Sequence, residues 1–112
     1  MTDAPVTRVL LADHELPEEF RTGHVEVRRI TLAPGLVAGP HTHNGPVFGI
    51  VTAGAVDFRV GDGPVVRLRA GDVFYEPGDE RIGGFDATDE GAEFVGWFLL
   101  PTGVAGTLTP LS

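Results

Sequence analysis

The sequence predicts an all-β protein folded as an antiparallel barrel, and three observations carry that reading. Short runs rich in β-branched and aromatic residues recur along the chain. Sixteen glycines and nine prolines fall mostly between those runs, where they punctuate strands and exclude long helices. At 112 residues the chain can bury one core but not two, so a single domain over 1–112 is expected.

The elements follow in order. An N-terminal arm over 1–21 holds a short strand over 8–11, suited to adding to a partner's sheet edge, and at most one helical turn over 16–21. The core, about 22–100, carries strands over 25–32, 37–43, 47–53, 56–61, 65–69, 72–76, 81–85 and 92–100. Between them lie the breakers Pro34-Gly35, Asn44-Gly45-Pro46, Gly61-Asp62-Gly63-Pro64, Ala70-Gly71, Pro77-Gly78 and Asp89-Glu90-Gly91. The tail over 101–112 is expected to be a loosely held extension. A chain this small gains from sharing core, so a homodimer is the expected assembly.

Composition excludes several functions. Sixteen acids against eight arginines and no lysine give a net charge of −8, which repels a phosphate backbone and argues against nucleic-acid binding. There is no cysteine, and the single serine is Ser112, so nucleophilic catalysis has little to work with. The N-terminus lacks the basic and apolar segments of a signal peptide, and no apolar run approaches a membrane span. The expectation is a soluble cytoplasmic protein with a small-molecule partner.

The sharpest signal is Pro40-His41-Thr42-His43, two of the chain's four histidines. In a strand, alternate side chains share a face, so His41 and His43 point the same way and can grip one ion if that way is inward. The plain alternative is that they bond each other, water or a ligand.

Gly35, His41-Thr42-His43 and Gly54, followed by Gly71 and Pro77, resemble the two motifs of the cupin superfamily. The resemblance covers roughly 22–100. It looks similar to small bacterial single-domain cupins in which H-x-H-x-G-P leads into a strand and an aromatic pair precedes a Glu-Pro turn, here Phe74-Tyr75-Glu76-Pro77. What the resemblance implies is a cupin-type jelly-roll barrel with a divalent metal, iron, manganese, nickel or zinc. It also implies a wide menu of chemistry that includes dioxygenases, isomerases, decarboxylases and cyclases of specialised metabolism.

The ligand pattern is degenerate. The family's glutamate position, beyond the second histidine and inside the strand that follows, holds Val47. The third histidine's position is Ile82 by strict spacing, or Arg81 if the Pro77-Gly78-Asp79 turn has lost a residue. Two histidines and one carboxylate suffice for a facial centre, and Glu76 is the best candidate to complete it. Its slightly favoured alternative is a rim salt bridge with Arg69 or Arg81. With two ligands alone, the ion is expected to be weakly held.

Other candidates surround this pair. Arg81 suits a substrate carboxylate or phosphate, against a surface ion pair as the commoner role. Val47, Tyr75 and Phe48 are candidate substrate contacts, although most of the aromatics are expected in core or dimer contacts. Glu26 and Arg28 share a strand face and form either a pocket pair able to move protons or an exposed pair. Three functions remain open. One is an enzyme with metal at His41, His43 and Glu76, acting on a carbonyl- or enol-containing molecule. The second is a metal-free acid–base isomerase or cyclase, and the third is a non-catalytic ligand sensor.

Overall fold

The computed structural model describes residues 5–111. The first four residues of the arm and Ser112 lie outside that span. Seven strands form among the described residues: β1 (His24–Leu32), β2 (His41–His43), β3 (Val47–Val60), β4 (Val66–Arg69), β5 (Val73–Glu76), β6 (Ile82–Leu100) and β7 (Leu108–Pro110). Every pairing is antiparallel. The sheet runs β4-β3-β6-β2-β7, with β1 also on β6 and β5 also on β3. There is no helix among the described residues, and so none long and apolar enough to cross a membrane.

Two long strands replace four expected short ones. The runs over 47–53 and 56–61 fuse into β3, and those over 81–85 and 92–100 fuse into β6. Gly54 (φ 70°) and Gly91 (φ 73°) let each strand turn a corner without ending, since a left-handed residue in a ladder bends it at no steric cost only when it is glycine. The two corners lie against each other, and the Gly91 carbonyl fills the space a side chain on Gly54 would need. Each half of β3 therefore takes a different neighbour, β5 on Val47–Ile50 and β4 on Ala55–Phe58.

Three expectations change at the ends. The run over 37–43 shortens to β2 because Gly39 (φ 76°) and Pro40 precede it. The arm forms neither a strand over 8–11 nor a helical turn over 16–21. The tail is not a loose extension throughout: β7 pairs with β2, His41 opposite Pro110 and His43 opposite Leu108.

The core is a phenylalanine cluster closed by aliphatic residues. Phe74, Phe85 and Phe94 pack with centroids 4.8–5.6 Å apart, beside buried Val51, Val56 and Leu68. Each such side chain contributes about 1.5–3 kcal/mol on burial, and each ring pair about 0.5–1.5 kcal/mol more. The same three rings line a cavity of about 280 Å³, so the core is also the cavity's wall.

Candidate metal centre

Strand alternation builds the site. On β2 the flanking residues His41 and His43 turn inward and are only 3% and 8% exposed. On β5, Phe74 and Glu76 turn inward while Val73 and Tyr75 turn out, which leaves the Glu76 carboxylate 4% exposed. All three side chains line the cavity. His43 Nε2 lies 2.6 Å and His41 Nε2 3.8 Å from the same Glu76 oxygen. Donor atoms from the three residues fall within 4.8 Å of one another, whereas donors sharing one ion at about 2.0–2.2 Å stand roughly 3–3.5 Å apart. Ligation would draw the farthest donors together and open the 2.6 Å contact between His43 and Glu76. Nitrogen and carboxylate donors that are buried together, without an arginine among them, fit a divalent transition metal.

The register explains how a carboxylate reaches this point. Val47 on β3, the residue in the family's glutamate position, pairs directly with Glu76 on β5. Their side chains share the inward face, so the acid that position 47 lacks arrives from the adjacent strand. Of the two residues at the third-histidine position, Ile82 pairs with His41 and is fully buried, whereas Arg81 is half exposed.

The electrostatics follow from burial and pairing. Burial depresses the His41 imidazole, but the bonds to Glu76 and to the Gly39 carbonyl outweigh it, and His41 titrates above its ordinary value. Burial raises Glu76, yet the two histidines overcome it and hold the carboxyl below its usual value. His41 Nδ1 stands 3.1 Å from the Gly39 carbonyl. A carbonyl only accepts, so Nδ1 carries the hydrogen and Nε2 is directed at Glu76, the tautomer that ligation through Nε2 requires.

Not every expected contact reaches the cavity. Val47 lines it. Phe48 and Tyr75, one step out of phase with Val47 and Glu76, stack on each other at 4.9 Å on the outer face. Arg81 precedes β6 at the rim, where its Nη1 donates to Asp62 at 2.9 Å. That pairing corrects Arg81 as a cavity residue and also removes it as a partner for Glu76. Glu26 and Arg28 do line the cavity, from β1.

One contribution is missing from the sequence reading. Gly106, Thr107 and Leu108 of the C-terminal segment close part of the cavity wall. Asn44 anchors them, donating to the Ala105 carbonyl and accepting from Thr107 N, both at 2.9 Å. The only local signal is the alternation of Thr107-Leu108-Thr109, too short to separate from a loop.

With this geometry in place, comparison with known proteins is informative. The Cupin domain family model matches residues 28–98, and the chain belongs to the cupin family. Its fold is similar to that of an uncharacterized conserved protein with a double-stranded beta-helix domain from Klebsiella pneumoniae subsp. pneumoniae MGH 78578. That pair shares 22% identity and a TM-score of 0.62 over 82% of this chain and 80% of that one. The DMSP lyase DddQ from Ruegeria pomeroyi DSS-3 aligns at 18% identity and TM-score 0.65, over 74% of this chain and 42% of that one. An oxalate oxidase aligns at 21% identity and TM-score 0.64, over 78% of this chain and 46% of that one. The chain thus spans less than half the length of the lyase and the oxidase, and at these identities the likeness is one of fold. No curated protein matches the sequence.

Proposed function

We propose that this cupin is an enzyme that takes a small carbonyl- or enol-containing molecule into the barrel cavity and holds a divalent ion, zinc, nickel, manganese or iron, through His41, His43 and Glu76. The observation that carries this reading is the convergence of three buried donors on one wall of a largely apolar cavity. Burying a carboxylate beside two imidazoles is costly, and ligation or proton transfer would use what the fold has invested. That fold relatives include a lyase and an oxidase supports an enzyme.

A bound dication would supply Lewis acidity toward a carbonyl or enolate oxygen. The protein's own groups do the rest. Glu76 fixes both imidazoles, and the Gly39 carbonyl sets the His41 tautomer. Ile30, Leu32, Val47, Phe94 and Phe98 give the substrate an apolar seat with little water, which strengthens every polar contact within it.

A metal-free acid–base role is the second reading, favoured by the 2.6 Å contact between His43 Nε2 and Glu76, a pair able to pass a proton. A ligand sensor would use the same cavity without turnover. We also propose a cytoplasmic homodimer, supported by the exposed apolar side chains Val9, Leu10 and Leu11 on the arm.

Elemental analysis separates the first reading from the second. Protein purified without a histidine tag, equilibrated with Zn²⁺ and freed of excess, is expected to retain close to one ion per chain, and the His43→Ala variant close to none. Equal zinc in the two proteins would exclude the proposed centre.

A further inference from the structure

Arg28 is the only guanidinium among the residues that line the cavity. It projects from β1 on the same face as Glu26 and Ile30, and its side chain is 59% exposed, which puts the charge at the mouth. Glu26 accepts from Arg28 Nε at 3.4 Å and Nη2 at 3.3 Å. Charge-assisted pairs normally close to about 2.7–2.9 Å, so this one is loose. Two arginines away from the cavity are held more tightly: Arg67 forks onto Asp57 at 2.9 and 3.1 Å, and Arg81 meets Asp62 at 2.9 Å. Glu26 uses only Nε and Nη2 of Arg28, which leaves the Nη1 hydrogens for another acceptor.

Glu26 has a second attachment that explains its position. Gly106 N donates to its other oxygen at 3.4 Å. A side chain on Gly106 would collide with Glu26, 2.8 Å from the missing Cβ. The C-terminal segment thus closes onto Glu26 and keeps it beside Arg28.

We propose that Arg28 is the anion anchor of the cavity and that the ligand is a small oxo- or enol-carboxylate, with its carboxylate on Arg28 and its carbonyl or enol oxygen at the His41–His43–Glu76 centre. This inference rests on the metal reading above. With a dication bound, the charged lining groups, Glu26, Glu76 and Arg28, leave a formal charge of plus one, which one monoanion neutralises. Without the ion, and with both imidazoles neutral, they leave minus one, which repels it. A cavity of about 280 Å³ lies at the small end of ligand pockets, and its apolar walls take the carbon chain. Glu26 acts as a positioning residue for Arg28.

The test compares oxo acids with their neutral esters, using pyruvate and levulinate beside methyl pyruvate and methyl levulinate, on wild type and on Arg28→Met and Arg28→Lys. Zinc affinity is measured first by calorimetry, and binding of each probe follows by NMR on zinc-loaded and zinc-free protein. Zinc affinity should be equal in all three proteins. At least one acid should bind zinc-loaded wild type more tightly than its ester. Arg28→Met should weaken that acid about tenfold to a hundredfold, the worth of a hydrogen-bonded charge. It should leave the ester unchanged, with Arg28→Lys in between. Neither acid outbinding its ester, or an acid indifferent to Arg28→Met, would overturn the anchor while leaving the metal centre standing. Absence of zinc binding in wild type would remove the metal reading and this inference together.

Discussion

At the residue scale, the proposed function rests on three buried side chains, His41, His43 and Glu76, and the charges of His41 and Glu76 depend on each other. The His41–His43 pair is legible in the sequence because alternation needs only a spacing of two. The role of Glu76 is half legible. Its phase with Phe74 marks it as inward, but its meeting with Val47 across β3 and β5 is a non-local pairing that spacing along the chain does not encode. Arg81 is attractive in sequence for its charge, yet Ile82 is the residue that pairs with His41, and spacing along the chain does not show that. The mutual dependence has a pH signature in metal-free protein. His41 lies above its ordinary 6.5, so its pairing stabilises the fold fully below 6.5 and less as pH rises through the folded value. Glu76 lies below its ordinary 4.5, so its contribution is complete above 4.5 and lost as pH falls through the folded value. The two windows overlap between 4.5 and 6.5, where the melting temperature in chelator should peak. Glu76→Gln should flatten that peak. A wild-type melting temperature that climbs steadily above pH 6.5 would contradict the pairing.

At the element scale, the sequence shows where strands lie better than where they end. Gly54 and Gly91 read as breaks because glycine usually stops a strand, yet at a barrel corner its left-handed conformation bends the ladder and lets it continue. β7 is not legible because the alternation around Leu108 is too short to separate from a loop; pairing with β2 makes it a strand. The register also shows where ligands can be added. Val47 lines the cavity from β3 and pairs with Glu76, and buried Ile82 on β6 pairs with His41. The double variant Val47→Glu with Ile82→His should melt below wild type without metal, since two apolar side chains at about 1.5–3 kcal/mol each are lost and a carboxylate is buried. With zinc it should melt above wild type, since binding to the folded state alone stabilises it. Melting curves with zinc and with chelator check the crossing, and zinc that fails to raise the double variant above wild type would place the two residues outside the centre.

At the scale of the whole molecule, charge and shape concern partners. The radius of gyration is 15.3 Å, against about 13 Å for a compact chain of this length, and the longest extent is 58 Å. The arm carries Val9, Leu10 and Leu11 at 64–77% exposure. On the barrel's outer face, Val27, Trp97, Phe48 and Tyr75 stand in register across β1, β6, β3 and β5. Contiguous apolar surface of this kind marks an interface, and a second copy is the occupant proposed. Sedimentation should give twice the 11.8 kDa chain mass, and Leu10→Asp with Leu11→Asp should shift the protein toward monomer. A monomeric wild type at micromolar concentration would end the dimer reading. Anion anchoring depends on the cavity having a working centre, and the direct test of that centre is anomalous diffraction from a zinc-soaked crystal. A single strong peak about 2.0–2.2 Å from His41 Nε2, His43 Nε2 and a Glu76 carboxylate oxygen is the predicted result. Zinc found only at surface sites such as His14 or His24, with none among these three side chains, would contradict it.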